Sequence, residues 1–280
     1  MKSLRDRVAV VTGAASGIGL ATAEALAKRG VDLALVDINE TALAAAAQRV
    51  QAAGRRATTH VVDVSSEAAM RELPERVVAE HRRVHIVVNN AGVSLAASFE
   101  RQSLEDLEWL MGINFWGVVY GCKFFLPKLR EVDEGHIVNI SSVFGILGVP
   151  LNSAYCASKF AVRGLSEALR AELDGSAIGV TSVHPGGIAT NIVRSARIDE
   201  GEHRGLRGQI ERRFERMLTP AKAAEAIVRG IESNAARVLI TREAYVIDIA
   251  KRLFPAYASE LLGRHWRTRI MGFLAPGAGP

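Results

Sequence analysis

Apolar residues along this chain come in short unbroken runs, separated by stretches in which they recur every three or four positions. Residues 7–12 (Arg-Val-Ala-Val-Val-Thr) read as a buried strand, followed by a glycine-rich turn and an alanine-rich helix over 18–29 that Gly30 closes. A second run, 31–36, ends on Asp37, and a helix over 40–53 stops at Gly54. The alternation continues with a strand at 57–64, a helix at 66–83 that contains Pro74, a strand at 84–89, and a long helix at 103–129. A strand at 136–141, a helix carrying Tyr155, a strand at 178–183, a helix at 220–231 and a strand at 237–241 finish the series. Strands that are apolar throughout, each followed by a helix, predict a parallel sheet covered on both faces: a three-layer, doubly wound α/β domain of the Rossmann type. Residues 186–218 break the rhythm with charge and glycine. The expected organisation is one domain over 1–241 and an amphipathic helical extension over 242–280, where Tyr245, Ile249, Leu253, Tyr257 and Leu261 repeat at helical spacing.

Composition adjusts this picture only locally. With 280 residues, 49% of them hydrophobic, the chain can bury a large core. Cys122 and Cys156 lack metal or redox spacing, which fits a reducing, cytoplasmic setting without disulfides. The N-terminus lacks the pattern of a signal peptide, and no apolar run appears long enough for a membrane span. Of the net charge of +5, +4 lies after position 248, so the body is nearly neutral and nucleic-acid binding is not expected. The tail mixes Arg264, Arg267 and Arg269 with Trp266 and Phe273, a combination suited to peripheral contact with a membrane surface. Packing of the tail on the body, on a lid or across a subunit interface is the favoured alternative.

The chemistry is concentrated in a few motifs. Thr12-Gly13-Ala-Ala-Ser16-Gly17-Ile18-Gly19 lies where the first strand becomes the first helix, so backbone amides there can cradle a pyrophosphate. Asp37, 18 residues beyond Gly19, is placed to accept hydrogen bonds from an adenosine ribose and would repel a 2′-phosphate, which favours NAD over NADP. Tyr155 and Lys159 lie one helical turn apart, and a cation there favours the phenolate over the phenol. His60, His81, His136 and His184 have no ligand spacing and read as packing residues, as does Cys156.

Taken together, Thr12-Gly-x-x-x-Gly-x-Gly19, Asp63-Val64, Asn89-Asn90-Ala91-Gly92, Asn114, Ser142, Tyr155-x-x-x-Lys159 and Pro185-Gly186 resemble the short-chain dehydrogenase/reductase family over residues 7–241. The resemblance implies that Tyr155 is the general acid/base, that Lys159 lowers its pKa and binds the nicotinamide ribose, and that Ser142 holds the substrate oxygen, with Ser141 ranked second. Asn114 would hold a water in a proton relay. Asp63 and Val64 would meet the adenine and Asn90, Ala91 and Gly92 the adenosine ribose, while Pro185, Gly186, Ile188 and Thr190 would meet the nicotinamide.

Residues expected around the reacting carbon, including Val93, Ser94, Leu95, Phe144, Leu147, Val149, Leu151, Gly187 and Ile192, are mostly apolar. They point to a secondary alcohol or ketone on an apolar molecule, under a lid over 187–218. The rival readings are an NADP-dependent ketone or ketoacyl-type reductase and, from another class, a dinucleotide-sensing binding protein without turnover. Family members often assemble as homodimers or homotetramers through the long helix and the Tyr155 helix, and the extension could block one such contact.

Overall fold

The computed structural model describes residues 1, 3–190, 192, 196–199, 217–258 and 260. Seven strands form one all-parallel sheet. These are β1 (Val8–Thr12), β2 (Asp32–Asp37), β3 (Ala57–Val61), β4 (Ile86–Asn89), β6 (Gly135–Ile140), β7 (Ile178–His184) and β9 (Arg237–Leu239), in the order β3-β2-β1-β4-β6-β7-β9. The order reverses between β1 and β4, which opens a crevice at the carboxyl ends of these two strands. A separate parallel pair, β5 (Leu95–Ala96) with β8 (Arg197–Ile198), was not anticipated from the sequence.

Apolar side chains fill both faces of the sheet. On one face Leu26 of α1 (Gly17–Ala27), Leu43 and Val50 of α2 (Glu40–Ala52), and Ile227 and Val228 of the later helix Pro220–Glu232 share a cluster with Leu33 and Leu35 of β2. On the other, Met70 and Leu73 of α3 (Glu67–His81) pack with Phe125 and Leu129 of a later helix, Val162, and Ile137 of β6. β1 is buried at every position, which is why it reads as an unbroken apolar run.

Three local departures from the expected elements occur, and each has a cause. The strand expected over 57–64 ends at Val61, because the Asp63 carboxylate accepts from the amide and hydroxyl of Ser65 and turns the chain. The long helix expected over 103–129 is α4 (Leu104–Met111), a π-helical segment Gly112–Trp116, and α5 (Gly117–Arg130). One residue too many in this turn shifts the ladder, and Asn114 sits inside the shift. The third concerns membrane length. The continuous run Leu104–Arg130 does reach the length and apolarity of a membrane span, contrary to the sequence reading. Its Val118, Cys122, Phe125 and Leu129 are buried on the sheet, which is the placement of a core helix.

α6 (Ser153–Glu172) carries Tyr155 and Lys159, and α7 (Pro220–Glu232) precedes β9. The extension begins as α8 (Arg242–Leu253), anchored by an Arg237–Asp248 ion pair at 2.6 Å. Most of the expected lid, and the tail with Leu261, Trp266 and Phe273, lie outside the described residues.

Beneath the crevice runs a buried polar ladder. Asn89 Nδ2 donates to Asn139 Oδ1 at 2.8 Å, and Asn139 Nδ2 donates to Ser166 Oγ at 3.0 Å, which joins β4, β6 and α6. Truncation of Asn139 takes a partner from buried Asn89, Cys122 and Ser166, so Asn139→Ala is expected to lower unfolding free energy by about 1–3 kcal/mol in urea titration. A value near zero would show that the ladder contributes nothing to stability.

Candidate active site

The predicted site residues converge at the carboxyl ends of the central strands. Gly13 has φ +65°, and a methyl group there would lie 2.8 Å from Asn90 Nδ2 and 2.9 Å from Ala91 Cα. A methyl at Gly19 would collide with the Gly13 carbonyl and Asn90 Nδ2. Positions 13 and 19 therefore have no room for a side chain, because Asn90 and Ala91, just after β4, press against the turn. Thr12 completes the seam: its Oγ1 accepts from the amides of Asn90 (3.0 Å) and Ala91 (3.1 Å), while Asn90 Nδ2 donates to the Thr12 and Gly13 carbonyls. At Gly17, with φ +56°, an added methyl would stand 3.3 Å from the Thr190 methyl, so the loop after β7 approaches the glycine turn.

These features fit a dinucleotide. Ser16 begins α1 without a side-chain hydrogen bond to the first turn, as Asn152 and Thr219 do before α6 and α7, whereas Asn39, Ser66 and Ser103 cap α2, α3 and α4 through their side chains. The amides at the start of α1 are thus left without a side-chain cap, as a pyrophosphate requires. At the end of β2, Asp37 Oδ2 accepts from Ala15 N at 3.0 Å and Oδ1 from Asn39 N at 3.1 Å. The carboxylate is fixed beside the glycine turn, with acceptor capacity remaining on each oxygen. Asp63 and Val64 follow β3, and Val64 packs 2.9 Å from where a methyl at Gly117 would stand.

On the other side of the crevice, α6 brings Tyr155 and Lys159 beneath the end of β6. Lys159 is 4% exposed, and its Nζ donates to the Ile140 carbonyl at 3.0 Å and lies 5.6 Å from the centre of the Tyr155 ring. Burial lowers its pKa to about 8. The Tyr155 phenol is crowded by protein although the residue keeps some exposure, and burial raises its pKa to about 12 against the opposing effect of a hydrogen bond with Ser142. The expected lowering by Lys159 is therefore absent without a cofactor: at this distance, desolvation of the phenolate outweighs the cation.

Ser142 and Ser141 go to different partners. The Ser142 hydroxyl reaches Tyr155 and accepts from Phe144 N at 3.1 Å, while Ser141 Oγ points away and donates to the Lys159 carbonyl at 2.8 Å. Asn114 is fully buried. Its Oδ1 accepts from Val93 N at 2.8 Å and its Nδ2 donates to Val93 O at 3.0 Å, so the π-helical turn pins the chain just after Gly92. A methyl at Gly92 would stand 3.1 Å from Asn114 Oδ1 and 3.5 Å from Lys159 Nζ, which places these three groups together.

Apolar residues flank Tyr155 on two sides. Val93, Leu95, Leu110 and Ala154 form one cluster with it, and Phe144, which meets its ring edge-on at 6.0 Å, joins Leu147, Val149 and Cys156 in another. Ile188 is buried in the loop after β7, and half-buried Ile192 lies beyond it. A cavity of about 350 Å³ beside β5 and β8 is lined by Leu95, Ala97, Ile198, Arg101, Arg197, Asp106 and Asp199. It adjoins the Tyr155 cluster through Leu95 but contains none of the predicted catalytic side chains.

Comparison with known proteins fits this geometry. The sequence profile described as short chain dehydrogenase matches residues 7–201. The chain belongs to the short-chain dehydrogenase/reductase family. As a family member it is an oxidoreductase with a nicotinamide dinucleotide cofactor, acting on CH–OH or ketone groups. Among its relatives is SadH of Mycobacterium tuberculosis, provisionally named an oxidoreductase, 40% identical over 255 residues that cover 90% of this chain and 92% of SadH. The 3-ketodihydrosphingosine reductase of Bacteroides thetaiotaomicron is 33% identical over 229 residues, 79% of this chain and 77% of that protein. A short-chain dehydrogenase/reductase from Burkholderia phymatum, crystallised with NAD, superposes with a TM-score of 0.84 at 29% identity, covering 90% of this chain and 95% of that one.

Two positioning residues escaped the sequence reading. His184 Nδ1 donates to the Ser142 carbonyl at 3.1 Å, leaving Nε2 to accept from Ser182 Oγ at 3.0 Å, and burial keeps the ring neutral with a pKa of about 4. Thr241 stands against Gly186, where a methyl would lie 3.1 Å from its Cβ, so the start of α8 backs the Pro185-Gly186 loop. No local pattern announces either role, because both contacts depend on how distant elements pack.

Lys159 gives a pH test. Its folded pKa of about 8 lies below its ordinary 10.5, so the cation destabilises the fold fully below about 8 and the penalty fades as pH rises toward 10.5. Lys159→Met is expected to stabilise the cofactor-free protein more at a pH of about 7 than at about 9.5 in urea titrations. A difference independent of pH would contradict the burial of the ammonium.

Proposed function

We propose that this protein transfers a hydride between NAD(H) and a secondary alcohol or ketone on an apolar molecule. The observation that carries the proposal is the joining of two half-sites at one sheet crevice: a tightly packed glycine turn with its acid, and a tyrosine beside a buried lysine between apolar clusters.

In this reading the dinucleotide supplies the hydride donor or acceptor. Thr12, Gly13, Ser16, Gly17, Ile18 and Gly19 hold its pyrophosphate, and Asp37 binds the adenosine ribose. Asp63 and Val64 border the adenine, Asn90, Ala91 and Gly92 the adjoining ribose, and Pro185, Gly186, Ile188 and Thr190 the nicotinamide end. NAD is preferred because Asp37 faces the glycine turn as a carboxylate and neither Ser16 nor Ile38 offers a cation for a 2′-phosphate.

Tyr155 Oη gives its proton to a ketone oxygen, or takes it from an alcohol, while Ser142 Oγ donates to that oxygen. Lys159 supports the phenolate and the ribose hydroxyls. Asn114 fixes Val93 at the site wall, and the second lone pair of its Oδ1 is available for a relay water. The apolar walls favour a hydrophobic substrate, in line with the sphingoid ketone named for the Bacteroides relative. A cytoplasmic location accords with two free, buried cysteines. A homodimer or homotetramer through the long helix would cover the exposed Trp116; a monomer in sedimentation velocity would remove that part of the proposal.

Turnover is read at the nicotinamide absorbance band, across apolar ketones and short hydroxy acids with both cofactors. Apolar ketones with NADH are expected to react fastest, and Tyr155→Phe to lower kcat by about 10²–10⁴-fold while NADH binding persists. Asp37→Ala is expected to narrow the preference for NADH over NADPH. Faster turnover of short hydroxy acids would overturn the substrate class, and unchanged turnover in Tyr155→Phe the mechanism.

A further inference from the structure

The extension has two working faces. Its inner face joins the body through Ala244, Asp248 and Ile247, the last packing with Phe144, Leu147, Val149 and Cys156 beside the site. Its outer face is apolar and uncovered: Tyr245, Val246, Ile249 (55% exposed) and Leu253 (66% exposed) lie within about a quarter to a third of the helix circumference, continued by exposed Phe254 and Tyr257.

Charge identifies the occupant. Asp248 is shared between Arg237 at 2.6 Å and Arg252 at 3.2 Å, so this cluster keeps a net positive charge, and Arg242 is exposed on the same surface as the apolar stripe. From residue 249 onward the chain carries five Lys or Arg against one acid. A second copy docked through this face about a two-fold axis would bring two such cationic clusters into one interface. An anionic surface that accepts apolar side chains satisfies both features, and the combination of an apolar helix face with a basic segment is what reversible interfacial binding requires.

We infer that the outer face of α8 docks on an anionic lipid bilayer. Resting on the proposed function, the same helix would hold the apolar wall of the site near the membrane, where a hydrophobic ketone is concentrated. The inner contacts of Thr241 and Ile247 make α8 a shared element of the dock and the site.

The test is co-sedimentation of the full chain with phosphatidylcholine vesicles, with and without phosphatidylglycerol, at low and high salt. Wild type is expected to bind the anionic vesicles at low salt, and to bind pure phosphatidylcholine or either vesicle at high salt much less. Ile249→Glu combined with Leu253→Glu should weaken binding at least about tenfold, since both side chains lose their apolar contact with lipid. Circular dichroism should report an unchanged fold, and turnover of a short, water-soluble ketone should be unchanged in the double variant. Absence of wild-type binding to anionic vesicles at low salt would overturn the inference, as would equal binding by the double variant. A loss of oligomer mass in that variant without lipid would also overturn it, assigning the face to a second copy. If the double variant fails to fold, Arg242→Gln on the same face gives the second reading: binding to anionic vesicles at low salt should fall about fivefold, and unchanged binding would count against the dock. If no ketone is turned over while vesicle binding follows this pattern, the proposed function fails and the dock stands.

Discussion

A lysine ammonium buried without an acid is the constraint around which this structure is arranged. Among the described residues no carboxylate faces Lys159 Nζ, whose hydrogen bond goes to the Ile140 carbonyl. The fall of its pKa from 10.5 to about 8 corresponds to a penalty on the order of 3 kcal/mol for the charged form. Neighbouring features make that position tenable. Ser141 ties the end of β6 to the Lys159 backbone, Gly145 leaves room for that contact, and Gly92 lets the chain after β4 pass close to Nζ. The π-helical turn then brings Asn114 to Val93 to lock that passage. A buried, unneutralised cation lowers the cost of placing negative charge next to it, and the phenol of Tyr155 is the neighbouring group able to carry one.

The order of strands explains why this arrangement meets the glycine turn. Reversal between β1 and β4 leaves their carboxyl ends uncovered, and Thr12 staples those ends together through Asn90 and Ala91. The glycine turn and Asp37 are therefore contributed by β1, β2 and α1, and the Ser142, Tyr155 and Lys159 side chains by the end of β6 and by α6. β7 and its loop bridge the two: His184 holds Ser142, and Thr190 meets Gly17.

Much of this was legible in the chain. Parallel strands buried on both faces announced themselves as apolar runs, and strand-turn-helix punctuation located Gly13, Gly17, Gly19 and Asp37 without reference to the tertiary fold. The opposite directions of Ser141 and Ser142 were also legible, since side chains alternate along an extended chain. The break in the long helix was not, because Gly112–Trp116 has good helical spacing and the slip is imposed by the contact of Asn114 with Val93. Nor were the β5–β8 pair, the buttress of Thr241 on Gly186, or the high phenol pKa, all of which arise from long-range packing and desolvation. The helical spacing of Tyr245, Ile249 and Leu253 correctly placed three side chains on one stripe, but helical spacing alone does not tell an outer face from an inner one.

The central claim is that the buried cation and the phenol act as one proton-transfer pair once the dinucleotide is in place. Ultraviolet titration of tyrosinate, with Tyr155→Phe as the difference reference, measures this directly. The cofactor-free protein should show Tyr155 ionising only near about 12. With NAD⁺ bound the same transition should move down by several pH units in the wild type and much less in Lys159→Met. An ionisation that stays near 12 with NAD⁺ bound, or that falls equally in Lys159→Met, would contradict the account.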